Sequence, residues 1–176
     1  LITGANGVGK STLLQVLAGE LPPTSGHVTR LDGVRVGLLT QETRLPSPPA
    51  VQQWERPSAS QKNLVQWTAH RAYEQAVGID RATEVPLSTF GLLAARDENR
   101  VVTELSVGQQ RRLALAILLA NPPEVLLLDE PTNHLSLRLV TELEQAIPDY
   151  PGAIVVASHD RWLRNTWQGK RLHLAG

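Results

Sequence analysis

Apolar residues in this chain follow two patterns. Lys10–Ala18 carries Leu13, Leu14 and Leu17 at helical spacing on one face, and Gly19 follows as a stop signal. Gly108–Ala120 is apolar on nearly every side after its first turn, as in a buried helix, and Asn121-Pro122-Pro123 ends it. Leu135–Ile147 predicts another helix and Arg161–Trp167 a short one. Val125–Leu128 and Ala153–Ala157 are continuous apolar runs, the mark of strands covered on both faces. Leu1–Thr3 reads as the end of a strand and Arg171–Leu174 as a last strand. His27–Leu31 and Val34–Leu39, on either side of Asp32-Gly33, predict a hairpin. Between these regions, Pro46–Ser60 holds four prolines and three serines and reads as irregular surface. Leu64–Val77 is helical in pattern, with weaker periodicity around Arg81 and over Leu87–Ala95.

Strands alternating with helices predict an α/β domain around a mostly parallel central sheet, with the hairpin as an antiparallel β part. Residues 1–176 read as a single domain, with roughly 46–107 a small helical subdomain inside it. No repeat of fixed period interrupts this pattern.

Composition narrows the class. The 176 residues are 41% hydrophobic and 19% charged, enough to bury a core. Lys plus Arg and Asp plus Glu both number 17, and this zero net charge argues against a surface built as a whole to bind polyanions. The absence of cysteine excludes disulfide scaffolds, thiolate metal sites and cysteine nucleophiles, and fits a reducing cytoplasm. The longest apolar run, Leu113–Ala120, is far short of the roughly 18 residues that cross a bilayer. Gly4–Lys10 is a polar, glycine-rich turn and no signal peptide. Membrane-spanning and secreted classes are therefore excluded. With no methionine and an opening on Leu1-Ile2-Thr3, the expectation is an N-terminally truncated piece of a longer protein.

Candidate chemistry begins at once. Gly4-Ala5-Asn6-Gly7-Val8-Gly9-Lys10-Ser11 fits the phosphate-loop pattern G-x-x-x-x-G-K-[ST] without a mismatch, between a predicted strand and a predicted helix. Glycines let backbone N–H groups turn inward around phosphate oxygens, and the helix start adds its positive dipole end. Lys10 brings a full charge to the β and γ phosphates, and the Ser11 hydroxyl can ligate Mg²⁺, with Thr12 beside it in the binding set. Val125-Leu126-Leu127-Leu128-Asp129-Glu130 is the complement, a buried strand with two carboxylates at its C-terminal end. Asp129 would hold Mg²⁺, and Glu130 would orient and deprotonate an attacking water. Alone, such a strand end is weakly specific; beside a phosphate loop it is strongly so. Leu105-Ser106-Val107-Gly108-Gln109 opens the buried helix, with Ser106 suited to cap it and the free N–H groups suited to a second phosphate.

The order of motifs carries the reading further. Phosphate loop, Gln41 at a strand end, LSVGQ, LLLDEPTNHLS and Ser158-His159-Asp160 form one ordered set. The set resembles the nucleotide-binding domain of the ABC ATPases, a P-loop NTPase fold, over the chain from Leu1 to its end. The resemblance implies ATP and Mg²⁺ as ligands, with Gln41 contacting the metal and the attacking water. It implies that His159 hydrogen-bonds the γ-phosphate. Ser106 and Gly108, in the helical subdomain, would close over ATP bound to a second ABC domain in a head-to-tail pair. Two departures stand out: Val107 replaces the second glycine of the signature, and Ser136 stands where an aspartate is usual.

Pro131-Thr132-Asn133-His134-Leu135 and Ser158-His159-Asp160-Arg161-Trp162-Leu163 look like the F subfamily, whose chains carry two such domains and no membrane part. LSVGQQRRLALA with PTNHLS is similar to the second domain of F-subfamily proteins that confer resistance to macrolide-type antibiotics at the ribosome. The resemblance thus implies a cytoplasmic ATPase paired with another ABC domain, with ribosomal RNA contacted through regions outside this sequence. The motor subunit of a membrane transporter is the alternative. Arg111 and Arg112 read as a solvated or hinge-facing pair; Arg161, Arg164, Lys170 and Arg171 read as solvated charge. Trp54, Trp67, Trp162 and Trp167 read as packing residues, and His27, His70, His134 and His173 share no metal-ligand spacing.

Overall fold

The computed structural model describes residues 1–41, 45–46, 67–133, 135–147 and 149–175. In chain order the elements are β1 (Ile2–Gly4), α1 (Lys10–Ala18), β2 (Val36–Leu39), α2 (Ala69–Val77), α3 (Ile79–Glu84), α4 (Ala95–Glu98), α5 (Val107–Ala120), β3 (Val125–Asp129), α6 (Leu137–Ala146), β4 (Ala153–Ala157), α7 (Arg161–Thr166) and β5 (Leu172–Leu174). They fall into two compact units, Leu1–Thr43 with Pro122–Gly176, and Arg44–Asn121.

The first unit is built on a sheet of order β2-β3-β4-β1-β5, and every pairing in it is parallel. Its middle strands are continuous apolar runs because both faces are covered: Leu126, Leu127, Leu128, Val156 and Ala157 are all buried. Helix α1 lies against the sheet through Leu14, which is fully buried with Ile2, Leu127 and Ala157, while Leu13 and Leu17 flank that contact. Ser136 caps α6, its hydroxyl accepting from the Leu139 N–H at 3.4 Å, so the departure from aspartate preserves a good helix cap. β1 sits inside the sheet, with β4 on one side and β5 on the other, while β2 forms the far edge. The connection leaving β1 runs toward β2 while the one leaving β4 runs the opposite way to β5, the kind of switch point where open α/β sheets leave a crevice at their C-terminal edge.

The expected hairpin does not form. The Asp32-Gly33 turn is present, with the Val34 N–H donating to the Leu31 carbonyl at 3.3 Å, but residues 27–31 are not a strand. Val28 is 38% and Leu31 78% exposed, so the segment has no covered apolar face to hold a two-stranded ribbon. Val36–Leu39 instead joins the central sheet, in parallel register with Val125–Leu128. Among the described residues, the antiparallel part reduces to one isolated bridge, Thr68 with Val101.

The second unit is helical. Thr68 caps α2, and α2 packs on α3 and α5. Tyr73 is fully buried there and donates its hydroxyl to the Val85 carbonyl; burial raises its pKa. Arg81 donates from Nε to the Ala120 carbonyl at 2.7 Å, a cation on the C-terminal end of α5. Helix α5 buries Leu113, Leu115, Ala116 and Ala120. Arg111 is only 2% exposed, which corrects the solvated reading given to it: α5 is covered around most of its circumference, its second turn included. Trp67 donates to the Pro46 carbonyl at 3.0 Å. Trp54, His134, residues 47–60 of the proline-rich segment and residues 64–66 of the expected helix lie outside the described residues. No helix among the described residues is long and apolar enough to cross a membrane.

Candidate functional site

The phosphate loop leaves β1 at Gly4 and enters α1 at Lys10. Gly4 has φ +151, and a Cβ there would meet the Leu174 carbonyl oxygen at 2.7 Å and Val8 Cγ1 at 2.8 Å. Only glycine fits between β5 and the loop. Gly9 is the N-cap of α1, left-handed at φ 99, and brings no side chain to cap the first turn. That helix start therefore faces the loop with backbone N–H groups, the arrangement that receives an anion. Lys10 is buried, and its ammonium donates to the Gly4 carbonyl at 3.0 Å and the Ala5 carbonyl at 2.9 Å. The charge is thus folded back along the loop over its own backbone.

Sheet register brings the carboxylates to the same edge. Ala157, the last residue of β4, is paired with Ile2 on one side and Asp129 on the other. β3 and β4 therefore end level and β1 runs two residues further, so the residues just past them (Ala5 onward, Glu130, and Ser158-His159) share one rim. Asp129 and Glu130 are 3% and 4% exposed. Glu130 has φ 49, the only non-glycine residue among those described with a positive φ. Its N–H donates to the Ala157 carbonyl at 2.8 Å, and its own carbonyl accepts from the Asn133 N–H at 3.1 Å. These bonds hold a left-handed turn that throws the carboxylate toward β4, the kind of strain that collects at functional sites.

That carboxylate is anchored from one segment. Ser158 Oγ donates to Glu130 Oε2 at 3.2 Å, the His159 N–H reaches the same oxygen at 3.4 Å, and His159 Nδ1 lies 2.8 Å from Oε1. With Glu130 ionised, Nδ1 carries the hydrogen, which leaves Nε2 at the outer edge of the ring. Ser158 is completely buried and also accepts from the Asp160 N–H at 3.0 Å, while Asp160 caps α7 through the Leu163 N–H at 2.8 Å. The His159 side chain is 62% exposed and Glu130 only 5%, so the imidazole is the accessible end of the pair.

A cavity of about 370 Å³ opens at this rim. Asn6, Gly7, Gly9, Lys10, Ser11 and Thr12 line it from the loop and α1, and Gln41, Asp129, Glu130 and His159 from the other strand ends. All these predicted residues are brought together. Gly4, Ala5 and Val8 belong to the loop but are not part of the cavity wall. Asn133 lines the cavity as well and was not anticipated as a site residue; its position in Pro131-Thr132-Asn133, directly after the Glu130 turn, was the available signal. Among the described residues, no three His, Asp or Glu side chains gather into a metal-binding group. One carboxylate and one hydroxyl suit a magnesium ion that keeps its waters and takes phosphate oxygens.

Ser106 and Gly108 lie in the second unit, where Ser106 caps α5 with a full capping box. The Gln109 N–H donates to Ser106 Oγ at 3.3 Å and the Ser106 N–H to Gln109 Oε1 at 2.9 Å. Gln110 Nε2 ties the preceding turn down, donating to the Val102 and Leu105 carbonyls at 3.1 Å each. Val107 is 62% exposed at the tip. The Arg100 guanidinium, together with the Gln109 amide, holds the buried Asp97 carboxyl below its usual range. His70 and His173 have ordinary partners, Glu74 at 3.3 Å and Thr3 Oγ1 at 3.1 Å.

A parallel sheet with a glycine-rich loop, two carboxylates and a histidine at one rim defines a P-loop nucleotide-binding domain. The ABC transporter family matches residues 1–133, and the chain belongs to that family. It is 45% identical over 175 residues to the tylosin resistance ATP-binding protein TlrC of Streptomyces fradiae, covering 99% of this chain and 28% of that protein. It is 31% identical over 205 residues to the energy-dependent translational throttle protein EttA of Haemophilus influenzae, covering 98% of this chain and 35% of that one. The chain thus spans only about 28% of the length of the first relative and 35% of the second. Among solved structures it is similar to the dimeric bacterial ABC transporter cassette MJ0796, with a TM-score of 0.72 and 25% identity over 98% of this chain and 79% of that one. A post-hydrolysis dimer of the same cassette, bound to ADP and Pi, shares the fold at a TM-score of 0.71 and 24% identity.

Proposed function

We propose that this chain is an ATP-binding and ATP-hydrolysing domain of a cytoplasmic two-domain ABC protein of the F subfamily, acting on the ribosome in antibiotic resistance or translation. The observation that carries the enzymatic part is the convergence of Lys10, Ser11, Asp129, Glu130 and His159 on one cavity at the strand ends. In this reading the two compact units form one ABC domain, and the helical one carries the signature.

Lys10 and the N–H groups that open α1 bind the β and γ phosphates. Ser11, Asp129 and Gln41 would hold magnesium, which supplies charge compensation on those phosphates when bound. Glu130 takes a proton from water as the water oxygen bonds to the γ phosphorus; the bond from that phosphorus to the bridging oxygen breaks, leaving ADP and phosphate. Ser158 and His159 fix the direction of the Glu130 carboxylate, and the His159 Nε2 edge faces the γ-phosphate. Ser106 and Gly108 act on nucleotide held by the second ABC domain, so each site is complete only in the pair.

The ribosomal part is supported by the named roles of two relatives, tylosin resistance and translational throttling. A ligand shifts an equilibrium only through differential affinity, so ATP-bound closure should favour ribosome association and hydrolysis release. Full-length protein with Glu130→Gln should co-sediment with ribosomes in ATP more strongly than the parent. Absence from the ribosomal pellet in both cases, with recovery alongside a membrane partner, would instead favour the transporter motor.

A further inference from the structure

We propose that Asp97 is a positioning residue for ATP turnover, acting through Gln109 to set the orientation of Ser106 in the signature loop. Asp97 belongs to none of the motifs that mark the chain, yet it is buried, at 7% exposure, and both carboxylate oxygens accept hydrogen bonds. Oδ2 accepts from Gln109 Nε2 at 2.8 Å and Oδ1 from an Arg100 guanidinium nitrogen at 3.2 Å. Arg100 uses its other terminal nitrogen on the Glu104 carbonyl at 2.6 Å, two residues before Ser106.

The chemistry of the donors fixes the direction of this network. An ionised carboxylate only accepts, so the Gln109 amide must turn its NH₂ toward Asp97. That choice leaves the amide oxygen for the Ser106 N–H, which it accepts at 2.9 Å. The main-chain N–H of Ser106 is thereby satisfied within the loop, and its hydroxyl is held against the Gln109 N–H at 3.3 Å. Without Asp97 the amide can flip or swing away, and Ser106 loses the partner that fixes its backbone. Arg100 stiffens the same loop from the other side, so both contacts of the carboxylate serve one segment.

The inference rests on the reading that Ser106 closes over ATP of a paired domain, and the test separates the two. In the full chain carrying this domain, Gln109→Glu places two carboxylates together, and Asp97→Ala removes the anchor. Either should lower ATP turnover about tenfold or more, since small misplacements of a positioning group carry costs of that size. ATP affinity at this chain's own phosphate loop should stay within about twofold, because the Asp97 carboxylate is held by Arg100 and Gln109 within its own unit. Combining Asp97→Asn with Gln109→Glu can rebuild the network with only the 97–109 bond reversed: the asparagine NH₂ donates to the new carboxylate, its oxygen still accepts from Arg100, and the new carboxylate still accepts from the Ser106 N–H. This exchange should recover most of the turnover lost in Gln109→Glu alone, which a general loss of packing would not do.

Amide hydrogen exchange at Ser106 reads the positioning directly, with faster exchange in both single variants and recovery in the exchange pair. Parental turnover and parental Ser106 protection in Asp97→Ala would overturn the proposal. So would an exchange pair no better than Gln109→Glu. If protection follows the expected order while every variant turns over ATP like the parent, Asp97 orders a loop that takes no part in turnover. That result also overturns the proposal, and it leaves the phosphate-loop reading, tested separately by Lys10→Ala, untouched.

Discussion

Glu130 and His159 are separated by 29 positions in sequence, yet Glu130 Oε1 and His159 Nδ1 lie 2.8 Å apart. The contact follows from the register of two neighbouring parallel strands. β3 and β4 end together, with Asp129 paired to Ala157, so the residues beyond each strand must meet. The left-handed turn at Glu130 then aims its buried carboxylate at the His159 segment instead of continuing the strand direction. A buried carboxylate and an exposed imidazole are joined in one unit, and several expectations for the proposed ATPase depend on it.

Lys10→Ala removes the charged group of the phosphate loop while the glycine turns that shape it remain. ATP affinity in the full-length protein should fall by about tenfold or more, at least ~1.4 kcal/mol, measured by titration calorimetry. Unchanged affinity would remove Lys10 from the binding site.

Ser158→Ala deletes a fully buried hydroxyl that donates to Glu130 Oε2 and accepts from the Asp160 N–H. A buried carboxylate and a part-buried N–H would lose a partner, and the cost to stability should be about 1–3 kcal/mol in a urea titration. Turnover should fall further than ATP affinity, because the hydroxyl steadies the carboxylate and touches no part of the phosphate loop. Ser158→Thr keeps the hydroxyl and should recover turnover.

Arg35 and Glu124 give a pH dependence of known sign. The side-chain hydrogen bond from Arg35, reinforced by its backbone N–H, lowers the Glu124 pKa from 4.5 to about 2. A carboxylate depressed in the folded state adds stability above its unfolded pKa and loses it as pH falls through the folded value. Parent and Arg35→Ala should therefore differ in thermal midpoint at pH 6, and the difference should shrink between pH 4.5 and pH 2. Both side chains are about half exposed, at 52% and 50%, so added salt should also reduce the effect. A difference that grows on acidification would contradict the assignment.

What the sequence discloses here is what local chemistry decides. Helix α1 runs over Lys10–Ala18 as its pattern predicts, because the glycines on either side of it adopt left-handed caps in the neighbouring residues. Ser106 caps α5 through contacts within three residues, which spacing alone can express. Strands β3 and β4 were legible as apolar runs for the same reason. The misread hairpin is the opposite case. The neighbourhood of β2 is set by β3, where Arg35 meets Glu124 across 89 residues, and nothing near Asp32-Gly33 announces that competition. The burial of Arg111 depends on what covers α5. The Glu130 backbone and the Asp97 anchor likewise arise from contacts made only when distant segments pack. Phosphate-loop and strand-end residues could be named from motifs; the bonds that orient them could not.

Glu130→Gln tests the central claim most directly. Glutamine fills the same volume and can still accept and donate at the rim, but it cannot take a proton from water. In full-length protein under single-turnover conditions, ATP should remain tightly bound at this site while its hydrolysis slows by about a hundredfold or more. Hydrolysis at the parental rate with ATP still bound would mean that Glu130 is not the base and that the proposed chemistry of this rim is wrong.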